Sequence, residues 1–199
     1  MLFRSKDRRR QRRQSQKMLS PLQRIAEAVG TPTYVYSEAT LRRHIRVFDE
    51  AFGSVPHITC YAVKANSNTN ILKRFASWGA GFDIVSGGEL FRVLRAGGDP
   101  QKVIFSGVGK TVDEIRFALE SNILFFNVES PAEAAAISEV ARSMSRTARV
   151  SVRTNPDVDP KTHPYISTGT KKNKFGVGLD SAAGLYQQLA SLPYIEIVG

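Results

Sequence analysis

The sequence predicts an α/β chain built on a parallel sheet, and two observations predict it. Short apolar, β-branched runs start near His57, Gly81, Lys102, Ile123, Arg149 and Tyr194, the first five at intervals of 21 to 26 residues. Between them lie stretches whose apolar residues recur at helical spacing. A repeating strand–helix unit gives parallel strands, in a sheet expected to be buried on both faces. No Gly-x-Gly-x-x-Gly follows the first run, and the interval is nearly constant. Both features favour a (β/α)8 barrel over a doubly wound sheet. A whole barrel takes roughly 250 residues. Residues His57 to Gly199 hold about six units, and the run Ile195–Gly199 stops in mid-strand, so the expectation is a partial barrel in a chain cut short.

The elements follow in order. Ser20-Pro21-Leu22-Gln23 reads as a capping box with proline at the first helical position, opening a helix that runs to Gly30. Thr33-Tyr34-Val35-Tyr36 is a short β-rich run. Leu41, Ile45, Phe48 and Phe52 form one apolar stripe of the next helix. Four more helices are marked by Ile71, Leu72, Phe75 and Trp78; by Leu90, Val93 and Leu94; by Val112, Ile115 and Leu119; and by Ile137, Val140, Ala141 and Met144. Gly79 and Gly97-Gly98 stop the first two of these. Ser86/Glu89, Thr111/Glu114 and Ser130/Glu133 have capping-box spacing. The sixth run comes 45 residues after the fifth, so an insertion spans about Asn155 to Gly178.

Composition excludes several classes. With 42% hydrophobic and 23% charged residues the chain is globular. Its only cysteine, Cys60, allows no internal disulfide and fits a reducing, cytoplasmic compartment. No apolar run nears the roughly 20 residues that span a bilayer. The net charge is +10, of which +7 lies in residues 1–20. Residues 1–19 therefore read as a basic disordered extension, and 20–199 as the barrel part. Phosphate neutralisation by the tail is the alternative, but no interleaved aromatics or basic stripe in the body support a specific nucleic-acid partner. No metal-ligand cluster stands out.

Ser106-Gly-Val-Gly-Lys-Thr111 imitates a phosphate loop. The full motif needs a glycine where Ile104 stands, so the reading is a tight turn with Thr111 capping a helix. The first run, His57 to Asn66, carries more chemistry. Alternation puts Ile58, Cys60, Ala62 and Lys64 on one face. Lys64 falls at the C-terminal end, where such folds place active sites. An ammonium among small apolar neighbours loses hydration, so its pKa is expected to fall, which suits imine formation. Read alone, a strand-end lysine more often just reaches solvent.

Tyr61-Ala-Val-Lys-Ala-Asn66, followed by Gly79-Ala-Gly-Phe-Asp-Ile-Val-Ser-Gly-Gly-Glu89, resembles the pyridoxal-phosphate decarboxylases of the alanine racemase-like barrel class. Within that class, His163-Pro-Tyr-Ile-Ser-Thr-Gly169 and Lys174-Phe175-Gly176 are similar to the diaminopimelate decarboxylases rather than to their ornithine or arginine relatives. The resemblance covers about residues 21–199. It implies that Lys64 forms the internal aldimine with pyridoxal 5'-phosphate and that Asp83 is an acid close to that lysine. It places Arg153 near the cofactor; a salt bridge of Arg153 to Asp83 is the competing reading. Ser86 and Glu89 are read as a cap. The segment 163–178 would be an active-site loop, with Lys171, Lys172 and Lys174 either attracting a dicarboxylate or forming a solvated turn. The implied reaction is decarboxylation of meso-2,6-diaminopimelate to L-lysine, in a homodimer with no membrane contact. A C-terminal β-domain carrying a catalytic cysteine, which Cys60 does not match, is missing from the chain, so the chain alone is expected to be inactive. A related amino-acid decarboxylase, or a non-catalytic pyridoxal-phosphate-binding barrel, is the alternative.

Overall fold

The structure, a computed structural model, describes residues 21–156 and 176–199. Ser20 and the basic extension lie outside the described residues. The chain divides between His44 and Ile45 into two compact units.

In the first unit, helix α1 covers residues 21–29 and closes with the Gly30 N–H on the Ala26 carbonyl at 2.9 Å. Thr33–Tyr36 forms no strand, contrary to its composition. Its residues find no ladder partner, and an isolated extended run has nothing to offset its loss of entropy. Ser37 then opens α2 (Glu38–Glu50): its Oγ accepts from the Thr40 N–H at 3.3 Å.

The second unit holds the expected repeat. Its elements are β1 (Cys60–Ala62), α3 (Thr69–Ser77), β2 (Gly81–Ile84), α4 (Gly87–Arg95), β3 (Val103–Phe105), α5 (Val112–Glu120), β4 (Phe125–Val128), α6 (Pro131–Ser143) and β5 (Ala148–Val152). After two short strands, β6 (Thr154–Asn155) and β7 (Val177–Gly178), come α7 (Leu179–Ser191) and β8 (Ile195–Ile197). The strands β1-β2-β3-β4-β5-β8 form one sheet in that order, parallel at every pair. The order never reverses. A doubly wound sheet reverses at its switch point, so the topology decides for barrel-type winding. Right-handed crossovers in one direction put the helices on one face.

Burial confirms that geometry. Phe82, Ile84, Val103, Phe105, Phe126, Val128, Val150 and Val152 are buried, as are Leu90, Val93, Ile115, Ile137 and Leu189 of the helices. The alternate strand residues Cys60, Ala62, Asp83, Ile104, Phe125, Asn127 and Ser151 are only part-buried. The expectation of burial on both faces is thus corrected. Among the described residues no second layer covers the other face, because one-way winding sends every crossover helix to the same side.

Two local expectations also shift. β1 starts at Cys60, not His57, because the His57 ring stacks on Phe52 at 4.2 Å and lies 3.5 Å from Asp49 Oδ1 instead of joining the ladder. The α2 stripe is buried only at Ile45: Phe48 is 56% exposed, and Phe52, which lies beyond the helix end at Glu50 and leaves its register, is 39% exposed. The ends of the insertion meet, as β6 pairs with β7. Lys171, Lys172 and Lys174 lie outside the described residues.

Candidate functional site

The C-terminal ends of β1 to β5 bring a row of polar side chains to the uncovered face. At β1 the chain passes into a 3₁₀ turn, Val63–Ala65, in which Val63 is wholly buried and Lys64 exposed. Tyr61 anchors the turn by stacking on Phe75 (4.2 Å between centroids), and its hydroxyl donates to the Asn66 carbonyl at 3.4 Å. Asn68 caps α3 through its own Oδ1. Lys64 therefore stands on a turn beyond the strand, with no hydrogen-bond partner among the described residues. Among the described residues the apolar surround expected for it is absent, because none of their side chains forms a layer over this face.

Asp83 on β2 pairs in register with Ala62. Its Oδ1 accepts the Ser106 hydroxyl at 2.6 Å, and Ser106 Oγ accepts from Asn127 Nδ2 at 2.9 Å. A serine has one hydroxyl hydrogen, so the bonds run in one direction, from Asn127 through Ser106 to Asp83. Asp83 is left as an acceptor with a fixed carboxylate. Cys60 lies beside it: burial first, and then the negative charge of Asp83, push the thiol up to about 11.

A second cluster was not legible as a site in the sequence. Glu129 follows β4 with its side chain 3% exposed. Its Oε1 accepts from Gly107 N–H and from Arg153 Nη1, both at 3.0 Å, and its Oε2 accepts from Gly176 N–H at 3.0 Å. Arg153 thus pairs with Glu129, not with Asp83. The reason is distance: β3 and β4 separate β2 from β5, and each inter-strand step is about 4.8 Å. The strand alternation that singled out Lys64 places Glu129 on the same face as Asn127, and was the signal available.

Lys110 of the Gly-Lys-Thr run is fully buried at its side chain. It donates to the Gly107 carbonyl at 2.6 Å, to the Asn127 carbonyl at 2.9 Å and to Glu133. The lysine closes its own loop, as the tight-turn reading requires. Thr111 and Glu114 form a complete capping box. Ser86 and Ser130 cap α4 and α6, but Glu89 and Glu133 reach one residue further back, to the N–H groups of Val85 and Glu129. Those two boxes are therefore only half of what their spacing predicts, because each glutamate satisfies the donor before the cap. Among the described residues no cluster of three or more His, Cys, Asp or Glu has metal-site geometry, and no helix is long and apolar enough to cross a membrane.

Comparison with known proteins decides the family. The sequence profile of the pyridoxal binding domain of pyridoxal-dependent decarboxylases matches residues 38–199. The chain belongs to this family. Diaminopimelate decarboxylase of Pseudomonas aeruginosa is 55% identical over 178 residues, 89% of this chain and 43% of the relative. The crystal structure of diaminopimelate decarboxylase from Helicobacter pylori complexed with L-lysine is 44% identical, with a TM-score of 0.86 over 89% of this chain and 45% of that one. The arginine decarboxylase of Paramecium bursaria Chlorella virus is 26% identical, with a TM-score of 0.76 over 90% of this chain and 46% of that one. The chain thus spans less than half the length of the relatives it matches. Its sheet corresponds to part of the barrel of these pyridoxal-dependent decarboxylases.

Proposed function

We propose that this chain serves a decarboxylase that converts meso-2,6-diaminopimelate to L-lysine with pyridoxal 5'-phosphate, in a cytoplasmic homodimer. The observation that carries the reading is the identity to diaminopimelate decarboxylases, 55% to that of Pseudomonas aeruginosa and, among solved structures, 44% to that of Helicobacter pylori against 26% to the viral arginine decarboxylase. The residues at the strand ends fit the cofactor. Lys64 offers an exposed primary amine, Asp83 a fixed acceptor and Arg153 a cation, on a face that is kept low near β1 and β2 by Ala62 and Gly81.

Lys64 would hold the cofactor covalently through Nζ. Bound there, pyridoxal phosphate supplies an electron sink for the pair left when carbon dioxide departs. Asp83, held by Ser106, would offer the bound cofactor a fixed hydrogen-bond acceptor. Arg153 orients an anion, a phosphate or a carboxylate.

Borohydride reduction in the presence of pyridoxal phosphate, followed by peptide mapping, is expected to place the pyridoxyl group on Lys64. Lys64→Ala is expected to lose the absorbance band of the bound cofactor. A label on Lys110 or Lys174 instead overturns the assignment. Carbon dioxide released from ornithine or arginine, but not from diaminopimelate, by the protein that carries this chain would overturn the substrate.

A further inference from the structure

Asp83, Ser106 and Asn127 form a continuous polar row across three neighbouring strands, and no step above assigns a use to the last two. Residues two apart on a strand share a face, and Ile104 pairs in register with both Asp83 and Phe125. Ser106 and Asn127 therefore fall on the uncovered face with Asp83, one strand and two strands away. All three residues are part-buried. The backbone beneath them is pinned. The Ser106 N–H donates to the Ile84 carbonyl at 2.8 Å, which carries the β2–β3 ladder one residue further. The Asn127 carbonyl accepts from Lys110 Nζ at 2.9 Å, and the Lys110 side chain is fully buried.

The row has a direction. Ser106 Oγ lies 2.6 Å from Asp83 Oδ1 and 2.9 Å from Asn127 Nδ2. An ionised carboxylate only accepts, and a serine has one hydroxyl hydrogen to give. That hydrogen goes to Asp83, so the Asn127 amide has to donate; with the amide oxygen turned to Ser106, two acceptors would face one hydrogen. The amide thus fixes the hydroxyl rotor, and the rotor fixes the carboxylate. Each bond in such a chain polarises the next. Among the described residues this is the one hydrogen bond that the Asp83 carboxylate accepts, and it takes only Oδ1.

We propose that Ser106 and Asn127 are positioning residues for Asp83: the Asn127 amide turns the single Ser106 hydrogen onto Asp83 Oδ1, which sets the carboxylate so that Oδ2 is presented to an N–H donor of the bound cofactor or substrate. How Asp83 is held follows from this geometry alone; what it meets rests on the pyridoxal reading above. By holding the Asn127 carbonyl, Lys110 steadies the strand from which the amide reaches out, which gives the Gly-Lys-Thr loop a use unrelated to nucleotide binding.

The test uses the protein that carries this chain, with Ser106→Ala, Asn127→Asp, Asn127→Ala and the double variant S106A/N127D. N127D keeps the shape of the side chain but replaces the donor by an acceptor, which competes for the Ser106 hydrogen. Two measurements are made. Crystal structures without cofactor are expected to show Asp83 in one rotamer on Ser106 in the wild type, and in more than one in S106A and N127D. Titration with pyridoxal phosphate, followed by absorbance, is expected to give a dissociation constant raised about tenfold in S106A and in N127D, the scale of one hydrogen bond to a charged group. The double variant is expected to lose no more than either single one, the pattern of residues acting as one unit. N127A leaves the Ser106 hydrogen able to stay on Asp83, so it is expected to lose less than N127D; a packing role would reverse that order, because N127A removes more of the side chain. An unchanged Asp83 rotamer in S106A, losses that simply add, or a loss in N127A as large as in N127D overturns the proposal. Wild-type protein with Asp83 held on Ser106 but no pyridoxal phosphate binding overturns the pyridoxal reading, and with it what Asp83 meets; the rotamers then decide the positioning by themselves. If N127D fails to fold, N127A is compared with S106A: a smaller loss in N127A supports the proposal, and an equal or larger one overturns it.

Discussion

Cys60 illustrates how a residue's chemistry is set by its neighbour across the sheet. Burial is the larger cause of its thiol being raised to about 11, and the charge of Asp83 adds to it. At pH 8 the thiolate share is then about a hundredfold below that of a thiol at its ordinary 9. Iodoacetamide is expected to alkylate Cys60 correspondingly slowly in the folded chain, and fast after unfolding. Asp83→Asn is expected to lower the apparent pKa but leave it above 9, since burial persists; a fall to 9 would show that charge, not burial, dominates. The effect on stability has a definite sign. The unfolded thiol ionises first as pH rises, so stability is full below about pH 9 and declines toward about pH 11. At the same scale, Lys64 was legible from strand alternation and Glu129 could have been, but the partner of Arg153 was not. Which carboxylate it meets depends on strand order, and the residue list does not contain that.

At the scale of elements, helix starts were the most legible feature, because a cap is a local contact between residues three apart. Thr111 and Glu114 close their box, and Glu114 also accepts the Gly87 N–H at 2.8 Å, which joins the start of α5 to that of α4. Burial tends to raise the Glu114 pKa, but bonds from the Gly87 and Thr111 backbone, the Thr111 hydroxyl and the charge of Lys110 outweigh it and hold it below 4.5. Glu114→Ala is expected to lower stability by about 1 kcal/mol at pH 7. The gap should narrow as the pH falls through and below 4.5 and the native carboxylate is protonated. Parallel denaturation curves at pH 7 and pH 3 check this; an unchanged gap at pH 3 would point to packing rather than hydrogen bonding. Gly98 is an element boundary of a different kind. A Cβ there would come within 2.5 Å of Val93 Cγ1 and 2.9 Å of Phe82 Cε2. Both side chains are fully buried, so Gly98→Ala is expected to destabilise by about 1–3 kcal/mol in a urea titration.

For the whole molecule, the sheet's two edges dominate. β1 and β8 end the six-stranded sheet, and Ile58, Ile197 and Val198 beside them are 49%, 37% and 38% exposed. Unpaired edge groups next to apolar side chains recruit other strands. The chain by itself is expected to associate as its concentration rises in sedimentation experiments. Ile58→Lys combined with Ile197→Lys is expected to reduce that association. A monomer at all concentrations would show that the edges are protected. The core should behave independently of the edges: Phe105→Ala removes a fully buried ring stacked 5.9 Å from Phe126 and is expected to cost about 3–5 kcal/mol.

The sequence by itself determined the repeating strand–helix unit, the helix caps, the parallel sheet and the placing of Lys64 near a strand's C-terminal end. Each of these depends on periodicity or on contacts a few residues apart, which a linear chain records directly. The family, too, was legible in runs such as Tyr61–Asn66. The tertiary structure alone decided which face of the sheet is covered, that Lys64 stands exposed on a 3₁₀ turn, that Thr33–Tyr36 makes no strand, and that Arg153 pairs with Glu129. Those outcomes depend on which segments, 24 or more residues apart in the case of Glu129 and Arg153, arrive side by side. Strand order and winding direction fix that, and they are properties of the folded sheet rather than of any local run of residues.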